Sequence, residues 1–157
     1  MTKEWWVLAA FLSLCFVSES IGSYFTALSV TDWYPTLNKP FWNPPGWLFG
    51  PVWTFLYASM GIAAWLVWKT VGKISNAPLA FFFFLLQLVV NTVWSLFFFT
   101  WKNPVFALYD VILLDVLVLI TTYLFWRIYK PAGYLMLPYL AWILYATSLN
   151  AYIAFNN

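Results

Sequence analysis

Apolar residues run through this chain in five long blocks, at 5 to 28, 46 to 68, 78 to 100, 104 to 126 and 133 to 155. Between them lie short segments where proline, asparagine and lysine collect. A helix needs about 20 mostly apolar residues to cross the hydrocarbon of a bilayer, so each block is long enough to span. Membrane β-strands would alternate apolar and polar over segments of about ten residues, whereas Leu79 to Leu86 is apolar throughout. The pattern predicts an all-α integral membrane protein, one five-transmembrane-helix bundle over residues 1–157, with a long aromatic and proline-rich first loop at about 29–45. The first block has polar residues in its middle and no small-residue cleavage site after it, so it is expected to stay as the first helix and not to leave as a signal peptide.

Polar positions inside the blocks fall on particular helix faces. On the first helix Cys15, Glu19, Gly22, Ser23 and Thr26 recur at helical spacing, which reads first as a seam for close packing and leaves Glu19 open between structure and function. On the third, Gln87, Asn91, Ser95 and Phe98 share a face with Trp94 beside them, as for a cavity wall whose Asn91 amide orients a ligand carbonyl or carboxyl. The alternative is hydrogen-bonded glue between helices. On the second, Trp53, Tyr57, Gly61 and Ala64 share a face, and on the fifth Trp142, Ala146, Leu149 and Asn150 do so. Large rings over small residues leave space that a flat guest can fill by stacking, although the same stripe also serves core packing. Asp110 and Asp115 lie about 140° apart around the fourth helix, so at most one faces a cavity and the other must meet a neighbouring helix or be neutral. Gly46 to Gly50 matches a small-xxx-small dimer pattern, but its place beside prolines reads as a turn device.

The first loop and its exit, Trp33 to Trp53, hold a concentration of tryptophan and proline. Each proline restricts its own φ and the residue before it, which stiffens an aromatic lid suited to a flat hydrophobic ligand. Interfacial anchoring by Trp and Tyr is the competing use.

Composition fits: 64% of residues are hydrophobic and 8% charged, against about half and a quarter in soluble domains. Lys3, Lys69, Lys73, Arg127 and Lys130 fall on one side of the five spans and only Lys39 and Lys102 on the other. Basic residues gather on the cytoplasmic side, so the amino terminus is expected inside a cell membrane and the aromatic loop outside. The net charge of +2 comes without any basic stripe, so no nucleic-acid partner is expected. Cys15 is the single cysteine and reads as a small packing residue. The chain has no histidine, which excludes His-ligated haem, His-based metal sites and Ser-His or Cys-His relays. No metal or intrinsic cofactor is expected. Neither a phosphate-cradling loop nor an internal repeat is present, so nucleotide-driven transport and an inverted-repeat transporter are not expected.

Trp33-Tyr34, Leu37, Lys39-Pro40, Trp42, Pro44-Pro45, Gly50-Pro51-Val52-Trp53, Asn91, Trp94, Pro138 to Trp142 and Leu149-Asn150 together resemble the translocator protein family, also called tryptophan-rich sensory proteins or the TspO/MBR family, in its bacterial type. The resemblance spans nearly the whole chain. It implies a bundle that is often a homodimer, with a cavity under the first loop that binds porphyrins such as protoporphyrin IX and hydrophobic drugs of the benzodiazepine-site type. Carried over, the ligand site falls on Trp53, Asn91, Trp94, Trp142, Ala146 and Leu149, and spacing adds Tyr57 and Ser95. The resemblance also implies that Trp53 and Trp142 look like the tryptophans implicated in the light- and oxygen-dependent porphyrin degradation described for some bacterial members, so the porphyrin enters as ligand or substrate. Two departures are visible. The cholesterol pattern of animal members needs a basic residue after the fifth-helix tyrosine, but Tyr152 runs on to Asn157 without one. The third helix carries large side chains at Phe81 to Phe84 and Phe97 to Phe99, so a dimer through small residues there is not expected. A transporter of porphyrins or other hydrophobic molecules, or a stress sensor, remains the alternative to turnover.

Overall fold

Proline, glycine and asparagine set the helix ends. The computed structural model describes the backbone from Thr2 to Asn157 and side chains from Glu4 onward, so the side chain of Lys3, counted above among the basic residues, lies outside the described residues. Helix α1 spans Thr2–Ala27. After the loop, α2 runs from Gly46 to Val71 behind Pro44-Pro45 and ends where Gly72 adopts φ 78 and donates its N–H to the Trp68 carbonyl at 2.8 Å. That left-handed cap favours glycine, which has no Cβ to clash. Helix α3 begins at Pro78, whose missing N–H is not needed in a first turn. It runs to Ser95 and continues through a wider π turn at Leu96–Thr100. Helix α4 covers Pro104–Ile128, with the Asn103 side chain accepting the Phe106 N–H at 3.0 Å. A single extended residue, Tyr129, leads into α5 at Lys130–Asn156. The fifth helix thus starts three residues before the expected 133, because Pro131 is at home in its first turn. All five helices are long and apolar enough to cross a membrane.

The helices pack as a closed ring in the order α1, α2, α5, α4, α3 and back to α1. Two glycines permit the closest approaches. A Cβ on Gly61 would lie 2.9 Å from the Leu12 side chain and 3.2 Å from its Cα, and one on Gly133 would lie 2.7 Å from the Cβ of Trp126. At the end of the bundle holding Lys69 and Arg127 the interior is filled by Met60, Ala63, Ala64, Phe84, Phe125 and Met136. Lys69 pairs with Glu4 at 3.3 Å there. Large apolar side chains face outward, among them Leu79, Phe82, Leu85 and Val89 on α3. In hydrocarbon such a face is matched to its solvent, and helices are a form of backbone that satisfies its own polar groups there.

Gly46 and Gly50 are not a turn device, as their sequence context suggested. Both lie within α2, because Pro44-Pro45 already supply the turn and leave the helix to start at Gly46.

Candidate functional site

At the other end the ring does not fill. A cavity of about 480 Å³ opens beneath the first loop, walled by residues of all five helices. Its floor is a polar network built around Tyr139, which is fully buried. The Tyr139 hydroxyl donates to Gln87 Oε1 at 2.8 Å and accepts from Asn91 Nδ2 at 3.0 Å. Gln87 therefore lies under the cavity and not on it, holding Tyr139 while Asn91 reaches the surface. Buried polar groups that hydrogen-bond to one another hold a fixed geometry, and this one fixes the amide plane of Asn91.

The aromatic walls are similarly braced. Trp53 packs against Tyr57, with ring centroids 5.7 Å apart, and meets Tyr139 edge-on at 6.4 Å. Trp94 stacks on Phe98 at 5.0 Å and donates its indole N–H to Asn150 Oδ1 at 2.9 Å. Asn150 in turn donates to the Pro104 carbonyl at 2.8 Å, so α3, α4 and α5 are locked at one point. Trp142 meets Phe49 edge-on at 6.0 Å. Its indole Nε1 is buried and has no hydrogen-bond partner among the described residues. A buried N–H without an acceptor costs about 1–3 kcal/mol, so this donor at the cavity wall is one that a ligand acceptor can satisfy.

The lid is held by side chains reaching back to its own backbone. Lys39 Nζ donates to the carbonyls of Tyr34 at 2.9 Å and Leu37 at 3.0 Å and lies 5.0 Å from the centre of the Tyr34 ring. The Tyr34 hydroxyl donates to Asn43 Oδ1 at 3.0 Å, and burial pushes the Tyr34 phenol up from its ordinary value, which keeps it a donor. Tyr145 of α5 donates to the Trp42 carbonyl at 2.6 Å, and Ser29 donates to the Phe99 carbonyl at 2.6 Å, tying the loop to α5 and α3.

Of the residues expected at the site, Trp53, Tyr57, Asn91, Trp94, Ser95, Trp142, Ala146 and Leu149 all lie on this one cavity. Phe98 joins them together with Phe99, because the π turn at Leu96–Thr100 brings both rings inward where a regular helix would separate them. Gly61 and Ala64 do not reach it, being buried against the filled half of the bundle. The first-helix stripe departs from its reading as a packing seam: Cys15 is fully buried, but Glu19, Gly22, Ser23 and Thr26 line the cavity. The seam with α3 runs through Ser18, whose hydroxyl lies 2.7 Å from Thr92 Oγ1, and through Gly22, where a Cβ would lie 3.4 Å from Ser95 Oγ. Neither Asp110 nor Asp115 lines the cavity; Asp115 accepts from Thr147 of α5 at 2.8 Å. Phe49, Tyr34 and Leu114 were not foreseen as lining residues. Phe49 carried a signal in lying one helical turn before Trp53, and Tyr34 in belonging to the aromatic lid, whereas Leu114 carried none.

Fold and site together define a class: a five-helix integral membrane protein whose interior opens, under a tryptophan- and proline-rich loop, into an aromatic-walled chamber. Comparison with known proteins places the chain within that class. The TspO/MBR family profile matches residues 11–155. The chain is 40% identical over 150 residues to the tryptophan-rich protein TspO of Chlorobaculum tepidum, covering 96% of this chain and 95% of that one. It is 44% identical over 129 residues to the tryptophan-rich protein TspO of Archaeoglobus fulgidus, covering 82% of each. Over 137 residues it is 37% identical to the human translocator protein, covering 87% of this chain and 79% of the human one. The chain belongs to the TspO/MBR family.

Proposed function

We propose that this protein binds porphyrins, protoporphyrin IX above all, and flat hydrophobic drug-like molecules of the benzodiazepine-site type in the cavity under loop 29–45, and that it promotes light-dependent oxidative breakdown of the porphyrin. The observation that carries the reading is the 480 Å³ chamber walled by Trp53, Trp94 and Trp142, with the buried indole N–H of Trp142 left without a partner among the described residues. Its size falls within the range of about 300–1,000 Å³ typical of small-molecule sites. Stacking on the indoles holds a flat macrocycle, and Trp142 Nε1 and the Asn91 amide supply fixed polar contacts to its carboxyl or carbonyl oxygens. Light, dioxygen and the pigment carry the chemistry. Trp53 and Trp142 hold the excited ring and exchange an electron with it, dioxygen takes up the electrons lost as the macrocycle opens, and the lid keeps solvent off it.

On this reading the protein lies in the cell membrane with its amino terminus in the cytoplasm and loop 29–45 outside. Lys69, Lys73, Arg127 and Lys130 at one end of the bundle against Lys39 and Lys102 at the other support it. A homodimer through α3 would join large outward side chains such as Phe82, Leu85 and Val89.

The test is Soret absorbance of protoporphyrin IX with detergent-purified protein, in light and darkness, for wild type, Trp53→Phe, Trp142→Phe and a protein-free control. The expected result is a new product spectrum in light with wild type, lost in both variants while pigment still binds. If pigment binds but every sample bleaches like the control, the degradation step falls and a porphyrin carrier or sensor without turnover replaces it.

A further inference from the structure

The chamber carries one acidic side chain, and it sits far from the loop. Glu19 lies eight residues before the end of α1 at Ala27, about 12 Å along the helix axis from that end. It is the only Asp, Glu, Lys or Arg among the residues lining the cavity. Thr54 of α2 donates its hydroxyl to Glu19 Oε1 at 2.9 Å, across the line where α1 meets α2. Among the described residues, Oε2 accepts no hydrogen bond and no lysine or arginine pairs with Glu19, the ion pair present being Lys69 with Glu4. A carboxyl at the wall of an apolar chamber at membrane depth, with one oxygen free and no neutralising cation, is costly unless it faces a partner.

We propose that Glu19 makes the α1–α2 wall an acidic subsite that selects flat aromatic ligands carrying a protonated amine or similar cationic nitrogen at that end, and turns ligand carboxylates away from it. This rests on the ligand-binding reading of the same cavity. Two walls then read opposite polarity. Trp142 Nε1, from α5, offers a donor without an acceptor, and Glu19, from α1, offers an acceptor without a cation. A nitrogen cation against Glu19 forms a charge-assisted hydrogen bond in surroundings of low dielectric, whereas a carboxylate there meets like charge. A ligand with carboxylates therefore enters with them toward Trp142 or the loop, and a ligand with an aromatic amine enters the other way round. Thr54 competes for Oε1, and its hydroxyl keeps the carboxyl oriented when no ligand is bound.

The test uses three tricycles of nearly equal shape: 9-aminoacridine as cation, 9-methylanthracene as neutral reference and 9-anthracenecarboxylate as anion. Binding to the full chain in an uncharged maltoside detergent is followed by quenching of tryptophan fluorescence, with protoporphyrin IX in parallel. Wild type is expected to bind the cation on the order of tenfold more tightly than the anion, as suits one charge-assisted hydrogen bond. Glu19→Gln is expected to bring the two within about twofold, measured against the neutral tricycle as reference, since the amide keeps the shape and loses the charge. Thr54→Val is expected to tighten the cation alone, so the proposal stays testable if Glu19→Gln does not fold. Equal affinity for cation and anion in wild type, or an undiminished preference in Glu19→Gln, overturns the acidic subsite. If the neutral tricycle and protoporphyrin bind while that preference is missing, only the subsite falls. If nothing binds wild type, the ligand-binding reading falls with it.

Discussion

On α2, small residues occur at two levels with opposite results. Near the Lys69 end, Gly61 meets Leu12, and beside it Ala64 is fully enclosed by the core. Near the loop, a Cβ on Gly46 or Gly50 would find nothing within 4 Å, and both glycines line the chamber. A small residue makes room, and whether a neighbouring helix fills that room is decided by the partner's side chain and not by the stripe itself. In the lower half Leu12, Phe84 and Phe125 fill it. In the upper half Glu19, Gly22 and Ser23 of α1 are too short or too polar to do so. The Tyr139 network marks the boundary between the two.

The sharpest way to break this comparison is to add bulk at both levels. Gly61→Leu forces Leu12 and its backbone away and is expected to destabilise the bundle by about 3 kcal/mol or more, at the upper end of overpacking costs. Thermal unfolding in detergent measures it. Ala146→Leu puts a similar side chain into open space, so it is expected to leave unfolding unchanged or slightly later and to abolish pigment binding, read as loss of the Soret shift. If both variants unfold alike, the upper chamber is not open space.

At the boundary, Tyr139→Phe removes the hydroxyl shared by Gln87 and Asn91 and strands two buried amide groups. Its expected cost is about 1–3 kcal/mol, the range for leaving buried polar groups unpaired. Pigment affinity falls with it because Asn91 loses its brace. Trp94→Phe keeps the ring packing on Phe98 but breaks the indole bond to Asn150. With Asn150 still donating to the Pro104 carbonyl, about 1 kcal/mol is expected from the same unfolding measurement.

Much of this was legible in the residues. Five blocks gave five helices, because the bilayer sets one length for every span and composition alone reveals it. The faces bearing Trp53, Asn91 and Trp142 were readable because helical spacing is strict. What spacing did not reveal was which face of α1 turned inward at each level. Ser18 and Glu19 are adjacent, yet one bonds α3 and the other lines the chamber, a choice made by the ring order of helices. Phe99 was hidden for another reason: the π turn shifts the register of the last turn of α3, and no periodicity argument that assumes 3.6 residues per turn finds it.

The lid gives the smallest effects. Tyr145→Phe removes the 2.6 Å bond to the Trp42 carbonyl, an exposed contact, so unfolding should move by about 0.5–1.5 kcal/mol at most. Ligand release, which requires the lid to open, should quicken, as stopped-flow displacement of pigment would show. Tyr34 sharpens the same point through pH. Burial raises its phenol above the ordinary 10.0, so the folded lid holds the proton more tightly than the unfolded chain does. The stability that goes with burying the neutral phenol is therefore fully present below pH 10 and is lost as pH rises through the raised folded value, the bond to Asn43 opposing the shift only in part. The tyrosinate absorbance of wild type minus Tyr34→Phe should show one phenol titrating late. If that phenol titrates at its ordinary value, the ring is not buried under the lid and loop 29–45 opens far more readily than the chamber beneath it requires.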